Sequence, residues 1–169
     1  TFGSLEFTST KKRVFIPMTT EMVGEKGYSM AFWLFPKELN EGTNYFISTI
    51  GASAALFDQD AQIYIDDKGF LHFHSWVLTP KDLLGPKLNV NEWVHVAFVV
   101  DTNMGYVRLY VNGTEVSSMY ATGSYTFRQG IYLSNNTYPW IGMMDEVFFF
   151  TGAIPQSTIE ELARLNKTQ

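Results

Sequence analysis

The residues able to carry acid–base chemistry or bind a metal are few and scattered in this 169-residue chain. It contains no cysteine, which excludes a disulfide framework, a thiolate metal site and a cysteine nucleophile. No Gly-x-Ser-x-Gly elbow, phosphate-binding glycine loop or His-x-x-x-His pair accompanies its three histidines. Asp145 and Glu146 are adjacent, so in a strand their carboxylates point to opposite faces and cannot act as a catalytic pair. We therefore expect that the protein is not an enzyme.

A group of polar and aromatic side chains alternates with apolar ones along predicted strands. This alternation directs six of them away from the core: Tyr64, His72, His74, Trp76, Arg108 and Tyr110. If their strands share a sheet, the six form a surface suited to a glycan or peptide, because rings stack on sugars and polar groups bond hydroxyls. The alternative is ordinary exposed sheet surface. A metal on the i, i+2 pair His72 and His74 is a weaker alternative.

Side-chain alternation with a period of two predicts an all-β fold. The run 106–111 alternates in this way, and Asn112-Gly113 follows it as a hairpin turn. Further strands are predicted at 5–7, 14–16, 28–35, 45–50, 62–65, 70–76, 93–100, 131–133 and 144–150. A helix is predicted near the C-terminus, where Ile159, Leu162, Ala163 and Asn166 recur with helical spacing after Pro155. These elements indicate a two-sheet antiparallel jelly-roll sandwich with a short C-terminal helix.

Composition restricts the classes of partner. Acidic residues outnumber basic ones by 17 to 12, which argues against nucleic-acid binding. No apolar run approaches the ~18–20 residues of a membrane span. Aromatic residues make up 16% of the chain and charged residues 17%, which indicates a well-filled core. We expect Trp33 and Trp93 to fill that core, and residues 78–91 to form a long irregular connection.

Four segments resemble motifs of one family. Residues 28–34 (YSMAFWL), 91–98 (NEWVHVAF), 106–113 (YVRLYVNG) and 142–147 (GMMDEV) are similar to successive strands of laminin-G-like jelly rolls. The resemblance implies membership of the concanavalin A-like superfamily of lectins, pentraxins and some glycoside hydrolases. It implies one laminin-G-like domain over residues 1–169, with two sheets of which one is concave. If the strands of the six outward side chains belong to the concave sheet, these side chains form its ligand face. A start at Thr1 without an initiator methionine favours a domain of a larger protein.

The resemblance also bears on whether the protein hydrolyses glycans and whether it binds calcium. Hydrolases of the superfamily carry an ExDxxE strand, and this chain has none. Asp60 precedes Gly69 by nine positions, as the family's calcium-binding Asp precedes its hairpin glycine, and Asp58 could assist it. The family's second acidic ligand falls near Arg128, where there is no acid. We therefore favour a metal-free loop over a calcium site.

Three sequons suggest the compartment. Asn112, Asn135 and Asn166 each begin an Asn-x-Ser/Thr motif at a predicted turn or at the terminus, where glycosylation acceptors belong. Together with the family resemblance they indicate an extracellular or cell-surface glycoprotein. Complete absence of cysteine is unusual for a eukaryotic extracellular domain.

The sequence thus predicts a non-catalytic recognition or adhesion module. It would bind a glycan or protein ligand through the concave face and the loops 58–60 and 134–139, beside other domains of a larger protein. The alternative is a structural module that packs against neighbouring chains through the side of the sheet that carries Phe148 and Phe150. A glycoside hydrolase is a distant third hypothesis.

Overall fold

A computed structural model describes residues 3–8, 13–17, 27–39, 42, 45–51, 59–123 and 130–165. Two six-stranded antiparallel sheets form the molecule, and we name each after a central strand. The β9 sheet has the order β1 (Leu5–Phe7), β14 (Gly142–Thr151), β3 (Tyr28–Pro36), β9 (Val94–Asp101), β10 (Tyr106–Val111) and β11 (Thr114–Tyr120). The β5 sheet has the order β2 (Val14–Pro17), β13 (Gly130–Leu133), β4 (Tyr45–Gly51), β5 (Gln59–Ile65), β6 (Phe70–His74) and β8 (Asp82–Lys87). A small ladder joins β7 (Leu78–Thr79) to β12 (Thr122–Gly123), and α1 spans Gln156–Arg164.

The core lies between the two sheets and is filled by every second residue of each strand. In β9, Val96 and Phe98 point inward and are fully buried. Phe98 meets Phe73 of β6 across the sandwich, with ring centroids 5.5 Å apart. Ile63 of β5 joins the same cluster. The predicted jelly-roll sandwich is therefore confirmed, since alternate apolar residues of central strands such as β6 are buried between the sheets.

Helix α1 covers the outer face of the β9 sheet. Ile159 is fully buried there against a small apolar cluster that includes Ala97 and Val99. The predicted helix is confirmed over Gln156–Arg164, and Pro155, predicted in its first turn, is instead the extended residue that caps its start. Asn166 lies outside the described residues. No helix of the described residues is long and apolar enough to cross a membrane.

Two expectations about packing are wrong. The segment 78–91 is not irregular, because it contains β7 and β8. Its Gly85 and Pro86 hide the strand pattern, and proline is tolerated because β8 is an edge strand. Trp33 and Trp93 lie outside the core cluster and are half-buried. The tryptophan of the core is Trp140, which is 1% exposed.

Candidate functional site

Four predicted site residues lie together on the outer face of the β5 sheet. Tyr64 on β5 is directly opposite His72 on β6, and His74 follows on the same face. Trp76, just after β6, extends this row and is 38% exposed. The face is set by strand geometry, since the intervening Leu71 and Phe73 are fully buried. We refer to Tyr64, His72, His74 and Trp76 as the aromatic face.

One half of the aromatic face is a stacked pair of rings. Tyr64 and His72 lie parallel, with centroids 4.6 Å apart and an interplanar angle of 3°. The Nε2 atom of His72 is 3.1 Å from an Asp66 carboxylate oxygen. The other oxygen of Asp66 accepts the backbone N–H groups of Lys68 and Phe70, which fixes the β5–β6 turn. The turn therefore holds the carboxylate that orients the histidine ring.

The other half combines His74 with Trp76. The Nδ1 atom of His74 is 2.5 Å from an Asp82 carboxylate oxygen on β8. Trp76 meets the His74 ring edge to face, with centroids 4.7 Å apart. The Nζ atom of Lys81 lies 4.9 Å from the centre of the Trp76 ring. These contacts hold the indole ring against the sheet and leave part of it accessible.

The two carboxylates set the proton positions on this face. Burial, together with the negative charges of Asp82 and Asp66, raises the pKa of Tyr64, so its hydroxyl keeps its proton. Burial opposes ionisation of Asp66, but the hydrogen bonds from His72 and from two backbone N–H groups lower its pKa. Since a carboxylate only accepts, neutral His74 carries its proton on Nδ1 and leaves Nε2 as an acceptor. That Nε2 is buried and has no hydrogen-bond partner among the described residues.

The arrangement offers rings for stacking, with hydrogen-bonding groups beside them. The partly exposed indole of Trp76 gives a flat apolar surface. The Tyr64 side chain, with its hydroxyl, belongs to the same row. This combination suits a ligand with apolar faces and many hydroxyls, as a sugar ring has.

The prediction that all six side chains share one surface is wrong. Arg108 and Tyr110 lie on β10 in the other sheet, so they face away from the aromatic face. Tyr110 is also 1% exposed and packs beneath α1 with Ile159. Burial and the nearby Glu115 carboxylate raise its pKa. Jelly-roll connections put strands that are near in sequence into different sheets, which side-chain alternation cannot reveal.

Sequence reasoning missed the residues that orient the aromatic face. Asp66 lies in the turn between two predicted strands, and Asp82 and Lys81 lie in the segment 78–91 that is predicted to be an irregular connection. The signal for Asp66 was its position four residues before Phe70, at the start of a tight turn. No local signal marks Asp82, because the cross-strand register of β6 and β8 places it beside His74.

The structure describes little of the predicted calcium site. Asp58 lies outside the described residues, and only the backbone of Asp60 is described, within β5. Within the described ranges no group of three histidine or acidic side chains could hold a metal ion. His72 and His74, considered above as a pair of metal ligands, each lie within hydrogen-bond distance of a different carboxylate instead. The preference for a metal-free loop therefore stays a prediction.

The three sequons differ in their surroundings. Asn112 is exposed in the β10–β11 turn, and its Oδ1 accepts the backbone N–H of His95 at 3.0 Å. Asn135 is 4% exposed, and its Oδ1 accepts the N–H of Thr137 at 2.7 Å, which leaves its amide largely inaccessible in the folded chain. Asn166 lies outside the described residues. Use of these sequons stays a prediction.

Comparison with known proteins places the chain among jelly-roll domains. The family model Laminin_G_3, of the concanavalin A-like lectin/glucanases superfamily, matches residues 8–160. Curated proteins give no match.

Solved structures resemble the chain in fold. Domain 4 of AbnA, an extracellular arabinanase from Geobacillus stearothermophilus solved with arabinotriose, is 24% identical with a TM-score of 0.58; the match covers 89% of this chain and 72% of that one. A heptameric SAP-like pentraxin from Limulus polyphemus is 15% identical with a TM-score of 0.65, covering 92% and 82%. The botulinum neurotoxin serotype C1 binding domain is 16% identical with a TM-score of 0.70, covering 92% and 41%. The chain spans less than half the length of several such structures.

Proposed function

Because this chain belongs to the Laminin_G_3 family of the concanavalin A-like lectin/glucanases superfamily, we propose that it is a non-catalytic module that binds a glycan on the aromatic face. The observation that carries the proposal is the ordered row of rings from Tyr64 to Trp76. Two carboxylates and a lysine fix these rings before any ligand arrives. Such preorganisation reduces the entropy lost on binding.

The family and its structural neighbours support the binding class. Domain 4 of the arabinanase was solved with arabinotriose, and the neurotoxin structure is a binding domain. We infer from them a carbohydrate-binding module at the cell surface or outside the cell. We also infer that it works beside other domains, since the chain spans only part of several neighbours. A non-catalytic role is supported by the aromatic face, where Asp66 and Asp82 are each engaged with a histidine ring.

The ring of Trp76 provides the sharpest test. Affinity electrophoresis through gels that contain arabinan, galactan, dextran or xyloglucan measures retention of the folded protein. We expect retention by at least one of these neutral polysaccharides and a loss of about tenfold in affinity for Trp76→Ala. Trp76→Phe keeps a stacking ring and should retain most of the affinity. Val90→Ala, at an exposed apolar residue beyond β8, is the matched control and should bind as the wild type does.

Two results would contradict the proposal. If the Trp76→Ala variant binds polysaccharide as well as the Val90→Ala variant does, the aromatic face is not the binding site. Release of new reducing ends from a retained polysaccharide would show that the module is catalytic.

A second candidate function, assembly with neighbouring chains, is favoured by β14. Phe149 packs against the core, whereas Phe148 and Phe150 are half-buried and lie together with ring centroids 6.2 Å apart. Such paired rings on an outer face suit contact with another protein. Light scattering between 5 and 500 µM, with Phe150→Ser as the variant, tests it. Self-association that Phe150→Ser abolishes would support assembly, and a monomer at every concentration would reject self-assembly.

A further inference from the structure

A second group of aromatic side chains lies on the outer face of the β9 sheet, away from the aromatic face. Tyr106 on β10 is directly opposite Tyr120 on β11. Their ring centroids are 4.1 Å apart, and the Tyr106 hydroxyl donates a hydrogen bond to that of Tyr120. The Cζ atom of Arg108 lies 4.8 Å from the centre of the Tyr106 ring. We refer to Tyr106, Tyr120 and Arg108 as the tyrosine shelf.

The shelf is ordered and yet exposed. Tyr106 is held between Arg108 and Tyr120, so its own ring is occupied by protein contacts. Tyr120 is 70% exposed, more than any other large apolar or aromatic residue in the described ranges. Its hydroxyl and ring contacts hold it in place. A fixed, exposed ring is what a stacking ligand requires.

Two cavities lie beside the shelf. One of about 310 Å³ is partly open and is lined by the loop 101–105, the segment 121–123 and the inward-facing residues Leu78, Val100 and Val107. The other, of about 210 Å³, lies between the shelf and the connection 153–155 that leads into α1. Tyr106 and Asp101 line both, and Tyr120 directly precedes the segment that lines the larger one, whose volume is that of a small-ligand pocket.

The loop that forms the larger cavity is fixed by its own first residue. An Asp101 carboxylate oxygen accepts the backbone N–H groups of Asn103 and Met104, both at 3.0 Å. The loop therefore keeps its shape without a ligand, and the uncharged polar residues Thr102, Asn103 and Thr122 are among those that line the cavity. Hydroxyls of a ligand would meet uncharged donors and acceptors there.

The charged side chains around the tyrosine shelf indicate which class of ligand it would bind. Arg108 Nε lies 3.8 Å from a Glu115 carboxylate oxygen, so the nearest cation is already balanced by an acid. Asp101 uses one of its oxygens on its own loop. An anionic ligand would therefore gain little and would meet two carboxylates nearby. The combination of an exposed ring, uncharged polar groups and balanced charge suits a neutral sugar.

We propose that the tyrosine shelf and its two cavities form a second binding site, for a neutral oligosaccharide, which stacks on Tyr120 and places hydroxyls in the larger cavity. This site does not rest on the aromatic face. The rings of the tyrosine shelf and of the aromatic face lie on the outer faces of different sheets, whereas the larger cavity also contains inward-facing residues. A single protein molecule with both sites could bridge two polysaccharide chains.

Affinity electrophoresis through arabinan, galactan, dextran, xyloglucan and the acidic polygalacturonate tests the proposal with five proteins. These are the wild type, Tyr120→Ala, Tyr120→Phe, Trp76→Ala and the double variant Tyr120→Ala/Trp76→Ala. Val116→Ala, at an exposed residue on the same strand as Tyr120, is the matched control. We expect Tyr120→Ala to weaken binding to a neutral polysaccharide about tenfold, while Tyr120→Phe and Val116→Ala bind as the wild type does.

The two sites are separable in this experiment. Loss of polysaccharide affinity in Tyr120→Ala but not in Trp76→Ala would support the second site and reject the aromatic face. Loss of affinity in Trp76→Ala alone would overturn the second site. Preference for polygalacturonate over all neutral polysaccharides, or no retention of the wild type by any of them, would also overturn it. If both sites bind, the wild type should precipitate the retained polysaccharide from a clear mixture, and neither single variant should.

Discussion

His95 should make the folded protein lose stability in weak acid, and the size of the loss can be worked out. This residue on β9 is 1% exposed, and its Nδ1 atom has no hydrogen-bond partner among the described residues. Burial lowers its pKa from 6.5 to about 4, because a charged imidazole could not be hydrated there. The unfolded chain therefore binds one more proton than the folded chain between these two values.

The sign and the magnitude follow from proton linkage. Stability is complete above pH 6.5 and falls as the pH drops toward 4, since only the unfolded state takes up the proton. Each pH unit in this window costs about 1.4 kcal/mol. From pH 6.5 to pH 5 the loss from His95 is therefore about 2 kcal/mol. Ordinary carboxylates stay largely ionised above pH 5, so the window reports mainly on histidines.

Urea unfolding followed by tryptophan fluorescence at pH 8, 7, 6 and 5 measures this loss. His95→Gln removes the titrating group, and its decline between pH 8 and pH 5 should be smaller than that of the wild type by about 2 kcal/mol. The control His72→Gln leaves His95 in place and should keep this part of the decline. If the free energy of unfolding of His95→Gln declined with pH as much as that of the wild type, the argument that burial keeps this histidine neutral would be refuted.

Three further predictions concern packing. Gly85→Ala should lower the free energy of unfolding by about 1–3 kcal/mol, because its Cβ would lie 2.6 Å from Leu109 Cδ2; urea unfolding that shows no loss would contradict this. Ile159→Ala should cost about 2–5 kcal/mol by the same measurement, since Ile159 is fully buried on the side of α1 that faces the sheet, and an unchanged midpoint would show that the helix adds little. Asn112→Ala should cost about 1–2 kcal/mol in thermal or urea unfolding, because it removes the hydrogen bond to His95 and places alanine at φ 50°; Asn112→Gly should cost less.

The two candidate sites lie on different sheets and hold their aromatic rings in place by different contacts. The aromatic face is built from β5 and β6 and depends on His–Asp pairs to orient its rings. The tyrosine shelf is built from a hairpin and depends on ring stacking between Tyr106 and Tyr120. Helix α1 lies on the same side as the shelf and buries Tyr110, so this part of the sheet is not accessible to a ligand.

Sequence reasoning located the outward side chains of individual strands correctly. Tyr64, His72 and His74 point outward because Ile63, Leu71 and Phe73 between them are apolar, and each of these three is buried in the core. The same reasoning failed where a strand lacks alternation. In β8, Gly85 and Pro86 replace the side chains that would show the pattern, so Asp82 was not recognised as a partner of His74.

The sequence alone determined the sandwich, the β10–β11 hairpin and the C-terminal helix. Each follows from local rules, since strand period, turn residues and helix spacing act within a few positions. Only the tertiary structure decided which strands share a sheet. Arg108 and His72 are both outward-facing residues in strands, yet they lie on opposite sides of the sandwich because their strands belong to different sheets. Strand pairing is set by long-range packing of the two apolar faces, and this separates the six predicted residues into the aromatic face, the tyrosine shelf and the buried Tyr110.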